Sequence, residues 1–191
     1  MLKYKPVVLD FEGFRYKTDE FIIKELSVCG DYLDTVYLYP PYGFEYLTLE
    51  ERRAYQWQTK FLHGLYWHRG DYPYSFLGDF CKSVVLRYPN SKFYAKGTEK
   101  CSVLTNYLNK TVENLEDFGC PKVEEIESTA ACCERHSHLL PNYQADKHFA
   151  QRKARIFSNW LINYHAEIED GEFLWFANTD IPNIESLSIS N

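Results

Sequence analysis

Asp10 and Glu12 stand two residues apart in Val7-Val8-Leu9-Asp10-Phe11-Glu12, a run whose β-branched and aromatic residues suit a strand. Side chains alternate between the faces of a strand, so Val8 and both carboxylates share one face. On a central strand such a pair holds the divalent cations of a two-metal nuclease, which activate a water and stabilise the leaving oxygen. On an outer strand it is a solvated face. A second group has ligand chemistry of another kind. Cys133-Glu134-Arg135-His136 is a C-x-x-H pair, and His148 follows after eleven intervening residues. Thiolate and imidazole are the ligands zinc prefers in a tetrahedral site, and these three leave one position to fill. Cys132 and His138 are neighbours that serve equally well for Cys133 and His136. Around His148 lies a basic stripe of Lys147, Arg152, Lys153 and Arg155, with Lys96 and Lys100 as further cations. Such a stripe either contacts phosphates or is an ordinary solvated helix face. Tyr16, Tyr39, Trp67 and Tyr94 offer stacking surface for single strands.

The stretch His148-Phe149-Ala150-Gln151-Arg152-Lys153-Ala154, taken with Asp10-Phe11-Glu12, resembles a motif pair of the proofreading-type (DEDDh) 3′-to-5′ exonucleases. That family carries D-x-E on its first strand, an aspartate after its fourth, and H-x-A-x-x-D-A on its last helix. The resemblance implies a general-base role for His148 and metal binding by the carboxylates. Two positions depart from the pattern. Lys153 stands at the aspartate of the last motif, and Lys100, with Glu99 adjacent, falls about where the second aspartate belongs. Ammonium groups in those places repel a dication instead of collecting it. Two-metal exonuclease chemistry is therefore not expected, and Asp10, Glu12 and His148 read as vestigial. Lys96, Lys100, Arg152, Lys153 and Arg155 become candidate nucleic-acid contacts. A metal nuclease that was still active would have to use Asp10, Glu12, Glu99 and His148.

The same motif brings His148 beside the first strand, which makes Glu12 the candidate for the fourth zinc ligand. A set of Glu12, Cys133, His136 and His148 resembles the Maelstrom domain of the piRNA pathway. That family keeps the exonuclease fold and replaces its catalytic set with a Glu-Cys-His-Cys zinc site; this chain has His148 in the last place. The resemblance spans roughly Pro6 to Leu161. It implies a ribonuclease H-like fold, a mainly structural zinc ion (Zn2+), and binding or weak cleavage of single-stranded RNA in an RNA-silencing or related pathway. A protein-interaction module on the same fold, without nucleic acid, is a separate expectation.

The elements that must position these residues follow from periodicity. Phe21 to Val28 and Asp34 to Tyr39 read as a second and third strand, joined to the first by short spacers into an antiparallel meander. Leu47 to Leu65 reads as a helix with Thr48 as its N-cap and Glu51 three residues on. Further helices are expected over Pro73 to Tyr88 and Thr98 to Lys110, with strands at Lys92 to Gly97 and Thr111 to Phe118. A last helix from Lys147 to Tyr164 shows Ala150, Ala154, Phe157 and Leu161 along one stripe. Strands four and five, each fed by a helix, should lie parallel to strand one through right-handed crossovers. The expected architecture is α/β and ribonuclease H-like, a five-stranded mixed sheet flanked by helices. It occupies residues 1–168, and a C-terminal tail covers 169–191.

Composition sets bounds on this reading. A chain of 191 residues with 45% hydrophobic content has material for one core, which excludes a disordered or collagen-like polymer. Its formal charge of -6 argues against a globally basic nucleic-acid binder and leaves room only for a local basic face. No apolar run approaches the roughly 20 residues of a membrane helix. Met1-Leu2-Lys3-Tyr4-Lys5-Pro6 lacks the apolar stretch of a signal peptide, so an intracellular protein, cytoplasmic or nuclear, is expected. Cys29, Cys81, Cys101 and Cys120 then read as reduced core thiols.

Overall fold

The computed structural model describes residues 6–16, 21–126 and 149–179, with side chains as far as residue 166. Its centre is β1 (Val7–Arg15), whose apolar residues fill both faces. β2 (Phe21–Cys29) runs antiparallel to it, pairing Asp10 with Ser27 and Glu12 with Glu25. β3 (Leu33–Tyr37) is antiparallel to β2. On the other side, β4 (Phe93–Ala95) lies parallel to β1, and β5 (Val112–Asn114) parallel to β4. The sheet order is β3-β2-β1-β4-β5. The expected α/β architecture, a five-stranded mixed sheet flanked by helices, is the one observed.

Alternation along β1 divides the core. Val7, Leu9 and Phe11 pack against α2 (Phe76–Arg87) and α3 (Thr98–Leu108) through Leu77, Cys81, Val84 and Leu104. Val8 points the other way, towards Ile156, Phe157 and Leu161 of α4 (Ala150–Thr179). Asp10 and Glu12 share the face of Val8 and so lie under α4. Ala150, Ala154, Phe157 and Leu161, the expected apolar stripe, are all buried. A third cluster of Phe14, Ile22, Leu47, Tyr55 and Trp67 sits at the far end of β1. Among the described residues no helix is long and apolar enough to cross a membrane.

Several boundaries differ from expectation for local reasons. β1 extends to Arg15 through a bulge between Glu12 and Gly13. A Cβ on Gly13 would stand 2.0 Å from the Ile22 carbonyl oxygen, so only glycine allows the approach. α1 (Leu49–Gln58) has the expected capping box: Thr48 accepts from the Glu51 N–H, and the Glu51 carboxylate accepts from the Thr48 N–H at 2.8 Å. The helix then widens into a π-helical turn over Thr59–His63, closed by Gly64 at φ 69°. β5 stops at Asn114, whose Oδ1 accepts from Glu116 N at 3.1 Å and caps a 3-10 turn over Leu115–Phe118. The last helix starts at Ala150 and continues to Thr179, past the Glu169 at which the tail was expected to begin.

Candidate functional site

The carboxylate pair on β1 is closed by two lysines from two helices. Lys100, in the first turn of α3, donates from Nζ to Asp10 Oδ1 at 2.7 Å and to the Phe11 carbonyl at 2.6 Å. The same ammonium lies 3.5 Å from Glu12 Oε1 and 5.2 Å from the centre of the Phe11 ring. Lys153, in the first turn of α4, donates to Glu12 Oε1 and stands 4.0 Å from Asp10 Oδ2. Asp10 is 1% exposed, and the side chains of Glu12 and Lys153 are 13% and 16% exposed. Directly across the sheet, buried Glu25 accepts from the Ala150 N–H at the start of α4. This face of the sheet therefore collects three carboxyl groups and two ammonium groups with little water.

Burial shapes the protonation of each group. It raises Asp10 above the ordinary carboxylate range, against the opposing pull of Lys100 and Lys153. Burial would also raise Glu12, but the ammonium charges of Lys100 and Lys153 together reverse it and hold this carboxyl down at about 2. Burial, reinforced by the Glu12 and Asp10 charges, pushes Glu25 up to about 8. Lys153 loses solvation too, yet Glu12 and Asp10 more than compensate and raise it above its ordinary value. Burial thus favours the protonated, neutral form of Glu25. Counting the other two carboxylates as ionised, they are balanced by the two ammonium groups. With Asp10 and Glu12 matched by Lys100 and Lys153, this pair offers no surplus negative charge for divalent cations. It opens onto a cavity of about 270 Å³ bordered by Lys96, Glu116 and Lys122.

No known family model matches the chain, and no curated protein matches it.

The remaining expected residues divide three ways. Lys96 turns inward, donating to the Cys120 carbonyl at 2.7 Å and pairing with Glu116 at 3.4 Å. Arg152 is half-buried, and Arg155 is exposed. Three of the five candidate phosphate contacts, Lys96, Lys100 and Lys153, are thus held by protein acceptors. Glu99 pairs with Arg15 at the surface, while its neighbour Lys100 faces Asp10. Of the stacking candidates, Tyr94 and Trp67 are buried, Tyr39 is 46% exposed, and the Tyr16 hydroxyl donates to Glu50. Cys133, His136 and His148, with the alternatives Cys132 and His138, lie outside the described residues. So does Lys147.

Among the described residues no group of three or more His, Cys, Asp or Glu side chains is arranged to hold a metal ion. Glu12 is the one described member of the expected zinc set. Its Oε1 takes both lysines, whereas Oε2 accepts no hydrogen bond from a described residue. One carboxylate oxygen is sufficient for a single Zn–O bond, but the Lys100 and Lys153 ammonium groups on Oε1 oppose a dication there, so Glu12 fits zinc by donor type and not by charge.

Sequence reasoning passed over Glu25 and its neighbour Lys24. The signal was a Lys-Glu pair inside the apolar run Phe21 to Val28. A charged residue in such a strand is either paired or chemically active, because burial without a partner is too unfavourable. Lys24 is fully buried and donates to the carbonyls of Trp67 at 2.8 Å and Arg69 at 2.5 Å.

Proposed function

We propose that the protein is a catalytically silent, ribonuclease H-like domain of the exonuclease type that binds single-stranded RNA instead of cutting it. The observation that carries the silent half is the double closure of Asp10 and Glu12 by Lys100 and Lys153. In a two-metal site the carboxylates must be free to hold two dications. Here two ammonium groups take that place, from the positions that the exonuclease pattern gives to aspartate. The strand order β3-β2-β1-β4-β5, with β1 to β3 antiparallel and β4 and β5 parallel to β1, supports the ribonuclease H-like assignment. Zinc belongs to the same proposal as a structural ion held by Glu12 Oε2, Cys133, His136 and His148. When bound it cross-links β1 to the segment before α4.

The test is an assay on end-labelled single strands with Mg²⁺ and Mn²⁺. No nucleotide release is expected. Release that disappears in Asp10→Ala would instead establish an active metal nuclease. A second reading, a protein-interaction module, draws on the exposed apolar side chains Trp57, Phe61 and Leu62. Absence of any RNA binding would favour it.

A further inference from the structure

Between Arg52 and Gly70 the chain has no carboxylate, although it carries 27 Asp and Glu in all. The same segment holds Arg52, Arg53, Lys60 and Arg69, two histidines and five aromatic rings. It folds as most of α1, the π-helical turn and the return past the end of β1. That path surrounds a cavity of about 280 Å³ walled by the rings of Phe44, Tyr55, Tyr66 and Trp67, with Gln56 and His68 at its border. Among the described residues no carboxylate lines it. Tyr55 and Trp67 stack with centroids 5.0 Å apart and planes 10° apart. Tyr66 is 36% exposed, with the Arg69 guanidinium over its ring at 5.0 Å. Lys60 lies over the Phe61 ring at 5.1 Å.

The walls are built in advance. Buried His63 accepts the Leu65 N–H on Nδ1 at 3.0 Å, and the Thr59 hydroxyl donates to the Leu65 carbonyl at 2.8 Å. The Lys24 ammonium fixes the carbonyls of Trp67 and Arg69 from beneath. Meanwhile Arg53, Lys60 and Arg69 are exposed and paired with no carboxylate among the described residues. This is the reverse of Lys96, Lys100 and Lys153, which are already held by protein acceptors. A site of about 280 Å³ falls just under the roughly 300–1,000 Å³ of pockets that enclose whole small molecules, so it suits one ring system.

We propose that this cavity receives a base of single-stranded RNA, stacked among the rings of Tyr66 and its neighbours, while Arg53, Lys60 and Arg69 meet the flanking phosphates. The inference rests on the RNA-binding reading above and places that binding beside the C-terminal end of β1, past the silent cradle at its middle. Every base presents a π-face, so a ring-walled cavity accepts it without sequence readout. An amide and an imidazole at the border match the polar edge of a base. Unpaired cations and missing carboxylates select a polyanion over an apolar protein segment.

The experiment uses the full chain and a short fluorescein-labelled oligouridine, with binding read by anisotropy. Tyr66→Ala should weaken affinity about tenfold, the scale of one lost base stack. Arg53→Glu with Lys60→Glu should weaken it further and flatten its salt dependence. An abasic strand should bind the wild type as weakly as oligouridine binds Tyr66→Ala. These three sites are exposed, and an unchanged melting temperature checks the fold. Equal affinity for Tyr66→Ala and the wild type would overturn the cavity assignment and leave RNA binding standing. No wild-type binding to oligouridine would overturn the RNA reading and this site with it.

Discussion

Lys153 donates to Glu12 across 141 residues of sequence, tying the first turn of α4 to the middle of β1. Removing one partner of a buried pair is worse than removing both, because the survivor keeps its charge without compensation. Lys153→Met should therefore lower unfolding stability by about 3–5 kcal/mol. Adding Glu12→Gln should restore part of that loss. Denaturant titrations of the two single variants and the double variant give the coupling, and strictly additive effects would mean that the pair is not energetically linked.

Placing acids at positions 100 and 153 should create metal affinity. In the double variant Lys100→Asp, Lys153→Asp the cluster changes from balanced to strongly negative. Calorimetric titration with Mn²⁺ should show binding in this variant and none at the cradle of the wild type. A wild type that takes up Mn²⁺ with the same affinity would contradict the balance of charge.

Acid titration should expose Glu12. Its folded value of about 2 lies below the ordinary 4.5, so its contribution is complete above pH 4.5 and is lost as pH falls towards 2. That contribution is on the order of 3 kcal/mol at 1.4 kcal/mol per pH unit. Urea midpoints measured down this window should fall more steeply for the wild type than for Lys153→Met. Parallel curves would remove the lysine from the cause.

Burial pushes Lys24 in the other direction, down to about 7 from 10.5. An unfolded chain then binds more protons than the folded one between those values, so stability rises with pH through the window. The unfavourable burial is complete below pH 7 and is relieved above it. Lys24→Met should flatten this slope. Because it also releases the Trp67 and Arg69 carbonyls, it should loosen the cavity and weaken oligouridine binding.

Metal analysis addresses zinc directly. Purified protein should contain zinc, and Cys133→Ser or His148→Ala should lower both metal content and melting temperature. Cys81, buried between α2 and the sheet, serves as the control, and Cys81→Ser should leave the metal content unchanged. Fully folded, zinc-free protein would refute the ion while leaving the lysine closure intact.

Elements with strong local signals were legible in the sequence. Thr48 and Glu51 announced a helix start, and the alanine-rich stripe from Ala150 to Leu161 announced a buried helix face. Asp10 and Glu12 were readable as a pair because a strand repeats every second residue. Their closure by Lys100 and Lys153 was readable only through a motif, since no local rule links residues so distant in the chain. The aromatic cavity was not readable, although Trp67 stood out as a ring. It depends on a bulge at Gly13 and a π-helical turn, two irregularities that periodic patterns do not encode.

The bulge at Gly13 has an evolutionary consequence. Its missing Cβ cannot be supplied without moving the β2 backbone, so descendants of this sequence should keep glycine at position 13. Positions 10, 12, 100 and 153 should behave differently, drifting as a linked quartet in which a change of sign at one is answered at another. A glycine that never changes, followed in the third and fourth helices by lysines that change only in company, would be a signature by which remote kin of this chain could be recognised.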